Sequence, residues 1–165
     1  VDQMLLLARL DPEQGLPAAE AVDLRELVET VCADLGGAIL ARDLDFDFTA
    51  APGCQVHGQR EWLRVLARNL IDNAIRYTPR GGQLRVTVAA TAEALLLQVA
   101  DSGPGIPAGE RQRVLERFHR LHAGEVPGSG LGLAIVARIA ALHGADLELD
   151  ASPLGGLEVH VRWPR

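Results

Sequence analysis

From Gln59 to Tyr77 the chain keeps a helical period, with Leu63, Leu66, Ala67, Leu70 and Ala74 recurring at three- and four-residue intervals. These positions form one buried stripe, so the helix must lie against another layer. It ends at Thr78-Pro79, because the residue before proline is disfavoured in the α region. Its second half reads Asn-Leu-Ile-Asp-Asn-Ala-Ile-Arg-Tyr-Thr-Pro from Asn69 to Pro79. That stretch carries two carboxamides, a carboxylate, a guanidinium and a phenol, an unusual load for a core helix. Asn69, Asn73 and Arg76 fall together beside the stripe, at the rim of a core. A buried carboxamide without a partner costs about 1–3 kcal/mol. Backbone groups can supply that partner, and so can a bound ion or phosphate; the segment alone leaves both open.

The remaining periodicities place this helix in an α+β chain. Val1 to Leu10 is Leu-rich and helical in type, without a capping residue before it, and resembles the end of a longer helix. Asp11-Pro12 stops it, and Gly15-Leu16-Pro17 reads as a linker. The expected organisation is therefore a helix end over 1–11, a linker over 12–22 and one domain over 23–165. Asp23 and Glu26 have the spacing of a capping box, and Leu24, Leu27, Val28, Val31 and Leu35 continue a helical stripe to about Arg42. Leu44 to Thr49 alternates as a half-buried strand, and an extended piece near Gln55 to His57 is expected to pair with it. Leu84, Val86 and Val88 alternate, and Leu95 to Ala100 follows a turn at Thr91 to Glu93, which gives an antiparallel pair. Pro107 to Phe118 reads as a short polar helix, His119 to Gly130 as irregular, and Leu131 to Leu142 as an apolar helix closed by Gly144. Strands at Leu147 to Leu149 and Leu157 to Trp163 complete a two-layer α+β sandwich, with a mixed, mostly antiparallel sheet covered on one face by helices.

Composition narrows the function classes. The 165 residues are 48% apolar and 23% charged, which suits a globular core. A formal charge of −6 with scattered arginines argues against a nucleic-acid surface. Cys32 and Cys54 have no paired spacing and no neighbouring histidines, so neither a zinc site nor a disulfide framework is expected. No apolar run approaches the roughly 18–20 residues needed to span a bilayer, so a membrane is reached only through a region N-terminal to Val1.

Two glycine-bearing loops carry further chemistry. Asp101-Ser-Gly-Pro-Gly-Ile-Pro107 follows a buried strand directly. It offers a fixed carboxylate beside backbone that approaches a flat ligand closely, since glycine has no Cβ. The segment does not satisfy the dinucleotide fingerprint, because no helix opens on it in a parallel βαβ unit and proline occupies two of its positions. Gly128-Ser-Gly-Leu-Gly-Leu133 runs straight into a helix, presenting unpaired N–H groups and a positive dipole end to phosphate. It lacks the Lys-Ser/Thr ending of a Walker A loop.

In order and separation these stretches resemble the catalytic domain of sensor histidine kinases from bacterial two-component systems. Asn69 to Pro79 is similar to that family's N box, Asp101-Ser-Gly-Pro-Gly105 to its G1 box, Glu116-Arg-Phe118-His-Arg120 to its F box and Gly128-Ser-Gly-Leu-Gly132 to its G2 box. The resemblance covers about Asp23 to Pro164, and Val1 to Asp11 resembles the end of the second helix of the preceding dimerisation domain. It implies the Bergerat ATP-binding fold, ATP and Mg²⁺ as bound species, and transfer of the γ-phosphate to a histidine. By the same resemblance Asn73 would coordinate Mg²⁺, Asn69 would stand near the phosphates, and Arg76 and Arg120 would approach phosphate oxygens. Tyr77 would pack on adenine, and Asp101 would accept the hydrogen of its amino group, selecting ATP over GTP. Gly103, Gly105, Ile106, Phe118, Gly128, Gly130, Leu131, Gly132 and Leu133 complete the implied nucleotide site. Residues 107–129 would form its lid.

The implied partners are the chain's own dimerisation and phosphoacceptor domain, as a homodimer, and a response regulator; the implied location is the cytoplasmic side of an inner-membrane sensor. None of His57, His119, His122, His143 and His160 is followed by the acidic residue usual after a phosphoacceptor, so the acceptor is expected upstream of Val1. In the hydrolysing clamps of the wider superfamily a glutamate stands one helical turn before the magnesium asparagine. Here that position is Asn69, which has no general base to offer. Two departures from the family pattern stand out: Leu157 follows Gly156 where threonine is frequent, and His119 stands where an aromatic is common. A nucleotide-sensing module without catalysis and a serine kinase of the anti-sigma type are the alternative readings.

Overall fold

The computed structural model describes residues 18–120 and 131–165. In chain order these form β1 (Glu20–Asp23), α1 (Leu24–Asp34), α2 (Gly36–Ala41), β2 (Asp45–Ala50), β3 (Gln55–Gly58), α3 (Arg60–Tyr77), β4 (Gln83–Ala90), β5 (Ala94–Asp101), α4 (Ala108–Arg120), α5 (Leu131–Leu142), β6 (Asp146–Ala151) and β7 (Leu157–Pro164). The main sheet has the order β2-β4-β5-β7-β6. Its β2–β4 pair is parallel and the other pairs are antiparallel, the mixed sheet expected from the sequence.

Register explains how the sheet builds a core on one side. Val86 lies opposite Val99, which lies opposite Val159, and Leu97 lies opposite Val88 and Val161, so these apolar positions share one face. Leu63, Leu66, Leu70 and Ile71 of α3 and Ile135 and Ile139 of α5 are buried against them. The same alternation carries Leu95, Leu97 and Val99 through to Asp101, which puts a carboxylate on the covered face at the last residue of β5.

Local signals set the helix ends. The Asp23 side chain accepts from the Glu26 N–H at 3.2 Å, capping α1. Gln59 does the same for α3, accepting from the Trp62 N–H at 2.9 Å. At the other end of α3, the Thr78 hydroxyl donates to Ala74 O at 2.6 Å, and the Arg42 guanidinium donates to Thr78 O at 3.2 and 2.7 Å. Two carbonyls at the end of the helix thereby gain partners before Pro79. Gly144 closes α5 with φ +65°, a conformation that glycine adopts without cost.

Four expectations are corrected. The helix drawn from Asp23 to Arg42 is two helices, interrupted at Leu35 before Gly36-Gly37, where two residues of poor helix propensity adjoin. The extended piece at Gln55–Gly58 pairs antiparallel with Glu20–Asp23 in a separate two-stranded sheet, while β2 pairs with β4 at the edge of the main sheet. Strand β1 brings residues 20–22, read as linker, into regular structure, with Val22 fully buried. The helix beginning at Ala108 reaches Arg120, past Phe118. The expected helix over 1–11 lies outside the described residues.

Candidate functional site

A cavity of about 470 Å³ opens between the last turns of α3, the end of β5 and the loop that follows it. Leu70, Ala74, Val99, Leu133, Leu157 and Val159 make its walls largely apolar, while Asn73, Tyr77, Asp101 and Glu110 bring polar groups to it. Its volume lies within the roughly 300–1,000 Å³ usual for small-molecule sites. A slot of this kind suits a flat, largely apolar ring with a hydrogen-bond donor at one edge.

Asp101 is 6% exposed, and its surroundings fix it tightly. Oδ1 accepts from the Gly103 N–H at 2.9 Å and the Leu157 N–H at 3.1 Å, and the backbone oxygen accepts from the Gly156 N–H at 3.1 Å. A buried carboxylate so held loses rotamer freedom and keeps Oδ2 for a donor inside the cavity. The glycines are required by crowding. A Cβ on Gly156 would stand 2.2 Å from Asp101 Oδ1, and one on Gly103 would stand 2.7 Å from Tyr77 O. Gly105, at φ +71°, passes close to Gly156 O. Ser102 braces the same loop, its hydroxyl accepting from the Gln83 N–H at 2.8 Å.

The residues singled out from the sequence divide by position. Asn73, Tyr77, Asp101, Gly105, Ile106 and Leu133 line the one cavity. Gly103 shapes it through Asp101. Asn69 stands outside the lining: its Nδ2 donates to Val65 O at 2.8 Å, and its Oδ1 lies 3.2 Å from where a Gly132 Cβ would stand, at the first turn of α5. Arg76 is turned away, its guanidinium 3.1 Å from Asp72 on the exposed side of α3. The side chains of Phe118, Arg120 and Leu131, and the whole of Gly128 and Gly130, lie outside the described residues.

Sequence reasoning passed over the floor of the cavity. Leu70, Val99 and Val159 read as ordinary core positions, because alternation reports burial and not whether the buried face meets a cavity. Glu110 gave no signal beyond its place in a polar helix. Leu157 was marked only as a departure from threonine; its backbone N–H holds Asp101 while its side chain lines the cavity.

Residues 58–165 match the family described as histidine kinase-, DNA gyrase B-, and HSP90-like ATPase. The sensor protein kinase PmrB of Pseudomonas aeruginosa is 40% identical over 169 residues, an alignment covering 100% of this chain and 35% of PmrB. The chain thus spans about a third of the length of the curated relatives it matches. Among solved structures, the mycobacterial sensor histidine kinase MprB is 35% identical with a TM-score of 0.72, covering 89% of this chain and 97% of that one. The ATP-binding domain of PrrB from Mycobacterium tuberculosis is 32% identical with a TM-score of 0.70, covering 90% and 98%. With the Asp101 cavity, the mixed sheet and these relatives together, the chain belongs to the histidine kinase-, DNA gyrase B-, and HSP90-like ATPase family and is a sensor histidine kinase catalytic domain.

Proposed function

We propose that the Asp101 cavity holds the adenine of ATP, and that the domain passes the γ-phosphoryl group to a histidine on a dimerisation domain of the same protein. The observation that carries this reading is the buried Asp101 carboxylate, locked through Oδ1 with Oδ2 left at the end of an apolar slot. Adenine presents an amino group there, whereas guanine presents an oxygen that would face the carboxylate with two acceptors. Tyr77 stands at the mouth to cover the ring, and the phosphates run toward Asn69, Asn73 and the first turn of α5. Gly128, Gly130 and Leu131, with Arg120, belong to that end of the site by resemblance.

The donor set suits a hard cation shared with phosphates. Asn73 brings a neutral carboxamide oxygen to the cavity, and no cluster of three or more His, Cys, Asp or Glu occurs among the described residues. An ion preferring about six oxygens would then take most of them from phosphate and water. Mg²⁺ bound there supplies neutralisation of the charge that develops on the phosphoryl oxygens. The protein's own share is positioning: Asp101 orients the base, and α3 and α5 set the phosphate line. The attacking imidazole nitrogen forms the new bond to phosphorus as the bond to the bridging oxygen of ADP breaks. Asn69, where a base would activate water, accepts no proton and already donates to Val65 O. Transfer to protein is therefore favoured over hydrolysis. A response regulator is the next acceptor in line, and the membrane anchor belongs to another part of the protein; no helix among the described residues is long and apolar enough to cross a bilayer.

The test mixes this chain, Mg²⁺ and γ-labelled ATP with a separately prepared dimerisation domain carrying the acceptor histidine. Label that is lost in acid and stable in base is expected on the partner. Absence of label, or acid-stable label, would contradict the proposal.

A further inference from the structure

At the end of α3 and α5 remote from the cavity, one imidazole joins the two helices. His143 directly follows α5, and its Nδ1 lies 2.7 Å from Ile139 O while its Nε2 lies 3.1 Å from the Gln59 backbone N. One tautomer satisfies both contacts: Nδ1–H donates to the carbonyl, and bare Nε2 accepts from the amide. Burial pushes the imidazole below its ordinary range, opposed by its bond to Ile139, so the accepting form prevails at neutral pH. The ring rests against Gly58 so closely that a Cβ there would meet it at 2.5 Å.

Gln59 caps α3, so the bond reaches across from the end of one helix to the start of the other. Near the opposite end of α5, Gly132 rests on Asn69 of α3, where an added Cβ would stand 3.2 Å from Asn69 Oδ1. The two helices therefore run antiparallel and are pinned at two points. The pins are separated by most of α5, which has 12 residues and is about 18 Å long. Sliding α5 along α3 changes the distance from its first-turn N–H groups to Asn69 and Asn73.

We propose that His143 is a positioning residue for the phosphate end of the nucleotide site, fixing the axial register of α5 against α3. The inference rests on the ATP reading above. The adenine end is anchored separately, because Asp101 is held by backbone of the loop after β5 and of β7. Disturbing His143 should therefore weaken the hold on phosphates while sparing the hold on the base.

The experiment titrates the chain with ATP plus Mg²⁺ and, separately, with adenosine. His143→Ala is expected to weaken ATP about five- to tenfold, the worth of one neutral hydrogen bond, and adenosine by no more than about twofold. His143→Gln, which keeps an acceptor for the Gln59 N–H, should stay near wild type. His143→Asn, which keeps only a donor for Ile139 O, should resemble the alanine variant. Equal losses for both ligands, an unchanged ATP affinity in a folded His143→Ala, or Asn performing as well as Gln would overturn the inference. If His143→Ala does not fold, the Gln and Asn pair decides the matter alone. Wild-type protein that binds no ATP would instead overturn the nucleotide reading, and the inference with it.

Discussion

Gly156 shows how much of the site depends on the absence of a single methyl group. A Cβ there would lie 2.2 Å from Asp101 Oδ1, 2.6 Å from the Gly103 nitrogen and 2.7 Å from Asp101 O. No flexible side-chain end can yield, since two of the three atoms are backbone and the third is fixed by two hydrogen bonds. Gly156→Ala is expected to cost about 1–3 kcal/mol of stability. It should also remove ATP binding, measured by thermal melting with and without nucleotide. A folded variant with unchanged affinity would show that Asp101 is not the anchor. At this scale the sequence was legible where chemistry was unusual for its surroundings. Asp101 stood out as a carboxylate ending an apolar strand, and Asn73 as a carboxamide beside a buried stripe. Arg76 was legible only as a cation near the site. Its i,i+4 relation to Asp72 gave it a local partner, and the structure shows that pairing on the exposed side of the helix. Leu157 contributes through its backbone, and a backbone contact has no signature in residue identity.

At the scale of the element, α3 and α5 decide the geometry of the site, and both were readable from their apolar period and their terminal residues. Their mutual register was not, because it is set by His143, a residue whose sequence context gives only the end of a helix. Its titration offers a check. The ordinary imidazole value is 6.5, and burial lowers it in the folded chain, so the unfolded chain takes up the proton first as pH falls. The stabilisation from neutral His143 is complete above that value and declines below it. The urea midpoint of wild type should fall relative to that of His143→Gln, whose acceptor does not titrate, as the pH is lowered from about 7.5 to about 5. A constant difference between the two proteins would contradict the depressed value. The pairing of β1 with β3 escaped the sequence for a different reason: four-residue strands carry too few alternations to name their partner.

For the whole molecule, one face of the sheet, α1, α3 and α5 enclose the core, and both cysteines lie within it. Cys54 is fully buried, with its thiol donating to Ala51 O at 3.2 Å. Burial, with a smaller effect from Glu29, pushes the Cys32 thiol up to about 11. Neither thiol offers a thiolate at neutral pH, so native protein should resist iodoacetamide until it unfolds, and mass spectrometry should find labelling that tracks the global transition. Rapid labelling of native protein would show that the core opens locally. The layered fold was legible because the long helices and the strands of the main sheet announced their periods, and the match to the ATPase family over residues 58–165 agrees with it. The cavity was legible only as a set of separated motifs, since what brings them together is the register of β5 and β7 and the crossing of α3 over them. The central claim is that Asp101 makes this cavity an adenine site, and a paired titration with ATP and GTP in the presence of Mg²⁺ tests it directly. Wild type should prefer ATP by about tenfold or more, as expected when a buried acceptor loses its donor, and Asp101→Asn should lose that preference. Equal affinity of wild type for the two nucleotides, or an unaltered preference in Asp101→Asn, would contradict it.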